Sequence, residues 1–153
     1  MAGILDTNIL TQVGFIVRDI EKSKKKFAEF LGLPEPPVSE AGKYEITGTT
    51  VNGEPAPEAN SLLAFFDVGP NVQIELIQPN GVKSTWQDFL DEHGEGMHHI
   101  AFHIKGMDQK ILACEEMGIQ CVQRGKYGNA KGEYAYMDAR DDLKCIVELL
   151  ENY

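Results

Sequence analysis

Cysteine is scarce and its spacing is uninformative. Cys114, Cys121 and Cys145 are odd in number and form no CxxC pair, which excludes both a disulfide framework and a zinc knuckle. They read as small apolar residues in a reducing compartment. Long apolar runs are missing too: each breaks within about ten residues, against the roughly 20 that a membrane-spanning helix needs. The start, Met1-Ala2-Gly3-Ile4-Leu5-Asp6, lacks the basic region of an export signal. The expectation is a soluble cytoplasmic protein with no membrane partner. Basic residues are outnumbered, 14 Lys and Arg against 24 Asp and Glu, for a formal net charge of -10. Such a chain offers no general basic face to nucleic acid or to an anionic bilayer. An anionic small molecule needs only a local cluster, and Arg124, Lys126 and Lys131 supply one.

Apolar residues are not lacking. They make up 42% of 153 positions, enough for the core of one domain or two small fused modules. Ile9 to Val17 alternates as a strand, with Gln12 as a polar intruder among Leu10, Gly14 and Ile16 on one face. Asp19 suits an N-cap, and Ile20, Phe27, Phe30 and Leu31 recur at helical spacing until Gly32 and Pro34 stop the helix. Residues 35–60 are rich in Pro, Gly and polar side chains, with one short strand expected over Tyr44 to Val51. This loop-rich part is expected at the edge of a pocket. Strands follow at Leu62 to Val68 and Val72 to Gln78 around a Gly69-Pro70-Asn71 turn, and the second carries Glu75 in its middle.

Ser84 caps a short helix from Thr85 to His93, and Gly94-Glu95-Gly96 leads into Met97-His98-His99-Ile100-Ala101-Phe102-His103-Ile104. Simple alternation puts Met97, His99, Ala101 and His103 on one face of this strand and His98, Ile100, Phe102 and Ile104 on the other. His98 then points away from His99, to bond a neighbour or orient the other ring, while His103 is placed to line the same pocket as His99. A helix follows through Met107, Ile111, Cys114 and Met117. Short strands are expected at Gln120 to Gln123, Glu133 to Asp138 and Cys145 to Leu150.

The second part repeats the first. Gln12-Val13-Gly14-Phe15-Ile16-Val17 answers His99-Ile100-Ala101-Phe102-His103-Ile104, and Ile74-Glu75-Leu76-Ile77 answers Val147-Glu148-Leu149-Leu150. Gln12 to Gly32 spans 20 positions and His99 to Gly118 spans 19. The expected fold is α+β: two βαβββ modules, residues 8–80 and 97–151, joined by a bridging helix and loop at 81–96. Together they form one compact domain whose open, curved, mixed sheet holds a concave metal site. Each module then contributes one side chain from its first strand and one from its last, namely Gln12 with Glu75 and His99 with Glu148. Two carboxylates in an apolar sheet are costly to bury, and one divalent cation neutralises both while taking the His nitrogen and the Gln oxygen as further ligands. Mixed N and O donors suit Zn, Co, Ni, Mn or Fe better than Ca.

These residues resemble the vicinal oxygen chelate superfamily over nearly the whole chain. Ser84-Thr85-Trp86 leading to Phe89-Leu90, then Gly94 to Phe102, is similar to the bridging helix and second metal strand of methylmalonyl-CoA epimerases. The Gln12, Glu75, His99, Glu148 set instead resembles that of the eukaryotic type of lactoylglutathione lyase (glyoxalase I). Either resemblance implies one divalent metal (Zn, Co, Ni or Mn), with His99 rather than His98 as the ligand. It also implies a CoA or glutathione thioester as substrate, and allows a homodimer. The implied chemistry is proton transfer alpha to a metal-bound thioester carbonyl, with Glu148 as base and Glu75 as the second acid. His103, Arg124 and Lys126 are the expected substrate contacts. A metal-free small-molecule or drug-binding module of the same fold is the alternative from another class.

Overall fold

The computed structural model describes residues 3–153, so the Met1-Ala2 start of the leader reading lies outside it. Among the described residues, ten strands form one curled, open sheet in the order β2 (Ser39–Glu40), β5 (Ser61–Asp67), β6 (Gln73–Pro79), β1 (Gln12–Ile16), β7 (Gly96–His103), β10 (Ile146–Asn152), β9 (Gly132–Asp138), β8 (Gln120–Tyr127), β3 (Thr50–Val51), β4 (Glu54–Pro55). The central strands are β1 (Gln12–Ile16) and β7 (Gly96–His103), which run antiparallel. On one side lie β6 (Gln73–Pro79), parallel to β1, and then β5 (Ser61–Asp67), antiparallel to β6. On the other lie β10 (Ile146–Asn152), parallel to β7, then β9 (Gly132–Asp138) and β8 (Gln120–Tyr127), both antiparallel to their neighbours. Each first strand is thus flanked by the last strand of its own half. That topology brings Gln12, Glu75, His99 and Glu148 to the middle of the sheet.

Two helices cover the convex side. Helix α1 (Ile20–Leu31) starts where the Asp19 carboxylate accepts from Lys22 N–H and ends at Gly32, whose φ of 67° is one that glycine adopts without strain. Ile20 and Ala28 bury against Val17, Phe66 and Leu76. Helix α4 (Met107–Glu116) packs Met107, Ile111 and Cys114 on Ala135, Met137, Val147 and Leu149. Neither of these two helices covers the concave side. The bridging helix α3 (Thr85–His93), with Ser84 Oγ accepting from Gln87 N–H, lays Trp86 and Leu90 against one end of the curl. None of these helices is long and apolar enough to cross a membrane.

The expected strand over Tyr44 to Val51 is corrected. After β2 (Ser39–Glu40) pairs with β5, the chain forms a single helical turn, α2 (Tyr44–Thr47), ended by Gly48 at φ 55°. It then reaches the opposite edge, where β3 (Thr50–Val51) pairs with β8 and with β4 (Glu54–Pro55). Residues 41–49 therefore run as a strap from one edge of the sheet to the other. Alternation in a stretch so short and so rich in Thr and Gly does not reveal which sheet edge it meets. The strand expected to end at Gln123 also runs on to Tyr127, because its polar residues pair along an edge rather than bury.

Candidate metal centre

Residues of the central strands stand in rows across the sheet. One row reads Glu75, Gly14, His99, Ile146, and the next reads Gln73, Gln12, Ala101, Glu148, Tyr136. Gly14 and Ala101 are equivalent in the repeat, and both are small. They leave the space on the concave face into which the four larger polar side chains lean. All four are buried, with at most 7% of any exposed.

Their donor atoms converge. His99 Nε2 lies 3.0 Å from Glu148 Oε2, 3.4 Å from Glu75 Oε2 and 3.1 Å from Gln12 Oε1. The Gln12 oxygen in turn lies 2.9 Å from Glu148 Oε2 and 3.2 Å from Glu75 Oε2. An amide oxygen that faces only other acceptors is repelled unless a cation sits among them; turned over, the same amide would donate its N–H groups to the two carboxylates. Metal–ligand bonds of about 2.1 Å at right angles set neighbouring donor atoms about 3.0 Å apart. The donor set therefore fits a divalent ion both in spacing and in chemistry.

The electrostatics follow from crowding two carboxylates in a dry place. Burial, and then the charge of Glu148, push the Glu75 carboxyl up to about 8, partly offset by His99. Burial disfavours a charged His99, but Glu148 and Glu75 outweigh it and raise its affinity for a proton. His98 is held well below the usual imidazole range by burial, and next by His99.

His98 does not point away from His99. Gly14 pairs with His99 and Phe15 with Met97, so His98 is the extra residue of a β-bulge. The bulge breaks the alternation and turns His98 to the concave side. There its Nδ1 lies 3.0 Å from Nδ1 of His99, and its ring packs edge-on to Phe89 and Tyr136. Met97, expected beside His99, is exposed instead.

A cavity of about 560 Å³ opens over the centre, with Gln12, Glu75 and Glu148 on its floor and the strap residues Ala41, Ile46, Thr47 and Thr49 on its rim. Sequence reasoning missed its aromatic wall. Trp86 Nε1–H donates to Tyr136 OH at 2.9 Å, and Gln123 Nε2–H donates to Tyr134 OH at 3.0 Å. The Tyr134-Ala135-Tyr136 spacing, which puts both rings on one face of a strand, was the available signal. Burial raises the hydroxyls of both tyrosines above the usual phenol range.

Of the expected substrate contacts, His103 lines the cavity beyond His99 on the same strand. Lys126 belongs to the rim, with its ammonium 5.9 Å over the Tyr153 ring. Arg124 does not line the cavity, and that expectation is corrected. Its side chain turns to Asp108 of α4 and Glu133 of β9, which each accept from Nη2 at 2.8 Å. It is a structural cation on the convex side.

The sequence model described as Glyoxalase/Bleomycin resistance protein/Dioxygenase superfamily matches residues 11–137. A relative, the Uncharacterized protein YqjC of Bacillus subtilis (strain 168), is 28% identical over 145 residues, covering 94% of this chain and 92% of that protein. The Ethylmalonyl-CoA/methylmalonyl-CoA epimerase of Cereibacter sphaeroides is 27% identical over 113 residues, 71% of this chain and 84% of that protein. Among solved structures, methylmalonyl-CoA epimerase from Mycobacterium tuberculosis superposes with a TM-score of 0.68 at 19% identity, covering 100% of this chain and 92% of that one. That last likeness is one of fold.

Proposed function

Since the chain belongs to the Glyoxalase/Bleomycin resistance protein/Dioxygenase superfamily, we propose that it is a divalent-metal-dependent isomerase of the methylmalonyl-CoA epimerase kind. It transfers a proton at the carbon alpha to a thioester carbonyl. The observation that carries this reading is the convergence of Gln12 Oε1, Glu75 Oε2, His99 Nε2 and Glu148 Oε2 on one point under an open cavity. These four residues would hold one ion, which when bound supplies Lewis-acid stabilisation of negative charge on a carbonyl oxygen.

The chain's own residues account for the proton steps. Glu148 takes the alpha proton at its carboxylate, and Glu75, contributed by the other half of the repeat, returns one to the opposite face of the same carbon. Glu75 suits the donor's part by its place on the other half of the repeat; its carboxyl is pushed up to about 8 without metal, and a bound cation would draw that value down. The aromatic wall of Trp86, Tyr134 and Tyr136 and the strap above them limit water around that carbon. A cavity of about 560 Å³ admits the acyl end of a thioester, and its open side lets a long thiol carrier extend outward.

The deciding measurement is solvent deuterium incorporation into methylmalonyl-CoA, ethylmalonyl-CoA and related acyl-CoA thioesters, with Zn, Co, Ni or Mn supplied in turn. Exchange that needs the metal and stops on chelation is the expected result. The identity of the donors favours one second reading: a Gln, Glu, His, Glu set suits lactoylglutathione lyase, so glutathione-dependent loss of methylglyoxal, without exchange into any acyl-CoA, would replace the isomerase reading.

A further inference from the structure

His98 has no part in the mechanism above, yet the fold breaks a central strand to place it. A regular β7 would have sent its side chain to the convex face, and the bulge brings it in against His99. The ring is 1% exposed, its Nε2 makes no hydrogen bond of ordinary geometry, and the Thr85 backbone, which favours a proton on the ring, meets it only loosely. A buried imidazole with one nitrogen so poorly partnered is destabilising compared with an apolar ring of the same size. Its retention has to be explained by the other nitrogen, which faces Nδ1 of His99 at 3.0 Å.

Between two such nitrogens only one proton fits. If His98 carries it, a neutral His99 must bear its own proton on Nε2, pointing at Gln12, Glu75 and Glu148, and the ring cannot be a ligand. If His99 carries it, Nε2 presents a lone pair to the other donors. Edge-on packing against Phe89 and Tyr136, at interplanar angles of 81° and 83°, fixes the His98 ring so that Nδ1 stays aimed at its neighbour.

We propose that His98 is a positioning residue, whose Nδ1 accepts a hydrogen bond from His99 Nδ1–H and thereby keeps His99 Nε2 as the metal-facing nitrogen. The inference rests on the reading of the four-residue centre as a metal site. A partner of this kind typically changes metal affinity by about 10- to 100-fold. No atom of His98 reaches the cavity floor, so its effect runs through His99 alone.

The test is a long-range ¹H–¹⁵N spectrum of the histidine rings in the intact protein, before and after zinc is added. His98 in the Nε2–H form, with His99 protonated on Nδ1 in the zinc-loaded protein, is the expected result. His98 in the Nδ1–H form overturns the proposal, and this readout needs no variant to fold. Zinc competition titrations complete it. His98→Asn, whose Oδ1 sits near the place of Nδ1, should stay within a few-fold of the unmodified protein, while His98→Phe should bind zinc 10- to 100-fold more weakly. Equal affinity in His98→Phe would refute the role. Should the unmodified protein bind no zinc, the metal reading fails on its own, and the His98 ring spectrum still decides which nitrogen donates.

Discussion

Gly14 stands opposite His99 across the two central strands, so close that a β-carbon at Gly14 would lie 2.6 Å from His99 Nε2. The backbone of Gly14 is ordinary strand, so glycine is required here for space and not for conformation. Replacing it by alanine should force the imidazole off the axis on which Gln12, Glu75 and Glu148 converge. Overpacking of this sort costs about 1–3 kcal/mol of stability. Gly14→Ala is expected to lower zinc affinity at least tenfold, measured by competition with a chromophoric chelator, while the protein stays folded by circular dichroism. Unchanged affinity would mean that His99 is not a ligand.

The two carboxylates should separate by experiment even though they share a site. Glu148→Gln keeps the shape and an oxygen ligand but removes the base, so deuterium exchange into methylmalonyl-CoA should fall by about 10²- to 10⁴-fold. Glu75→Gln leaves that base in place. It should retain exchange into one epimer and lose interconversion of the two, read by chiral analysis of the recovered thioester. Full epimerisation in either variant sinks the assignment of that residue.

Metal-free protein should lose stability as pH rises from about 6.5 to 8. The Glu75 carboxyl is raised from 4.5 to about 8 in the fold, and His99 is raised as well. Over that window the folded state binds more protons than the unfolded chain, and stability therefore falls with pH. His98 works the other way, since its folded value lies well below 6.5, but above pH 6.5 it is largely neutral in both states. The expected drop in melting temperature across the window is roughly 5 °C. Zinc should reverse the trend, because binding displaces protons and tightens with pH. Scanning calorimetry at pH 6.5 and 8, with and without chelator, measures both effects; Glu75→Gln should flatten the metal-free slope.

The convergence of the four polar side chains is legible in the sequence because it rests on repetition. Matching the Gln12 strand to the His99 strand, and the Glu75 strand to the Glu148 strand, needs only period-two alternation and equal spacing, both of which survive in one sequence. The structure brings those four residues together. What could not be read was whatever broke the period. The bulge at His98 reverses a face assignment through one unpaired residue that no residue type announces. Residues 41–49 read as loop running into a strand over Tyr44 to Val51, but their conformation and route depend on which sheet edge lies free, a property of the assembled fold. Arg124 was placed by charge alone, and its partners Asp108 and Glu133 come from other elements.

His103 and Arg124 should therefore behave oppositely when replaced. His103 follows His99 by four positions, about 13 Å along a strand. That is too far for proton transfer at the centre, but His103 lines the same cavity. His103→Ala is expected to raise KM for an acyl-CoA several-fold with kcat little changed. Arg124→Met should leave KM within about twofold and lower stability by about 1 kcal/mol, as a partly exposed ion pair warrants. Steady-state kinetics paired with thermal melts would show the split, and a raised KM in Arg124→Met would put that guanidinium back at the substrate.

Gln123 joins the bridging helix to the cavity wall, and its loss should damage both. Val122 forms a bulge on β8, so Gln123 turns inward and is 1% exposed. Its Oε1 accepts from Thr85 N–H at 2.8 Å and from Thr85 Oγ1–H at 2.9 Å, while its Nε2–H donates to Tyr134 OH at 3.0 Å. A leucine of similar bulk makes none of these bonds and strands a backbone N–H at the helix start, where no carbonyl of the helix can take it. Each buried group left unpaired costs about 1–3 kcal/mol, so Gln123→Leu should destabilise the fold by roughly 3 kcal/mol or more. Gln123→Glu keeps the acceptor for Thr85 and loses only the donor to Tyr134. It should fall between the two, and a melt that places it level with leucine would show that the Tyr134 contact, not the helix start, is what Gln123 supports.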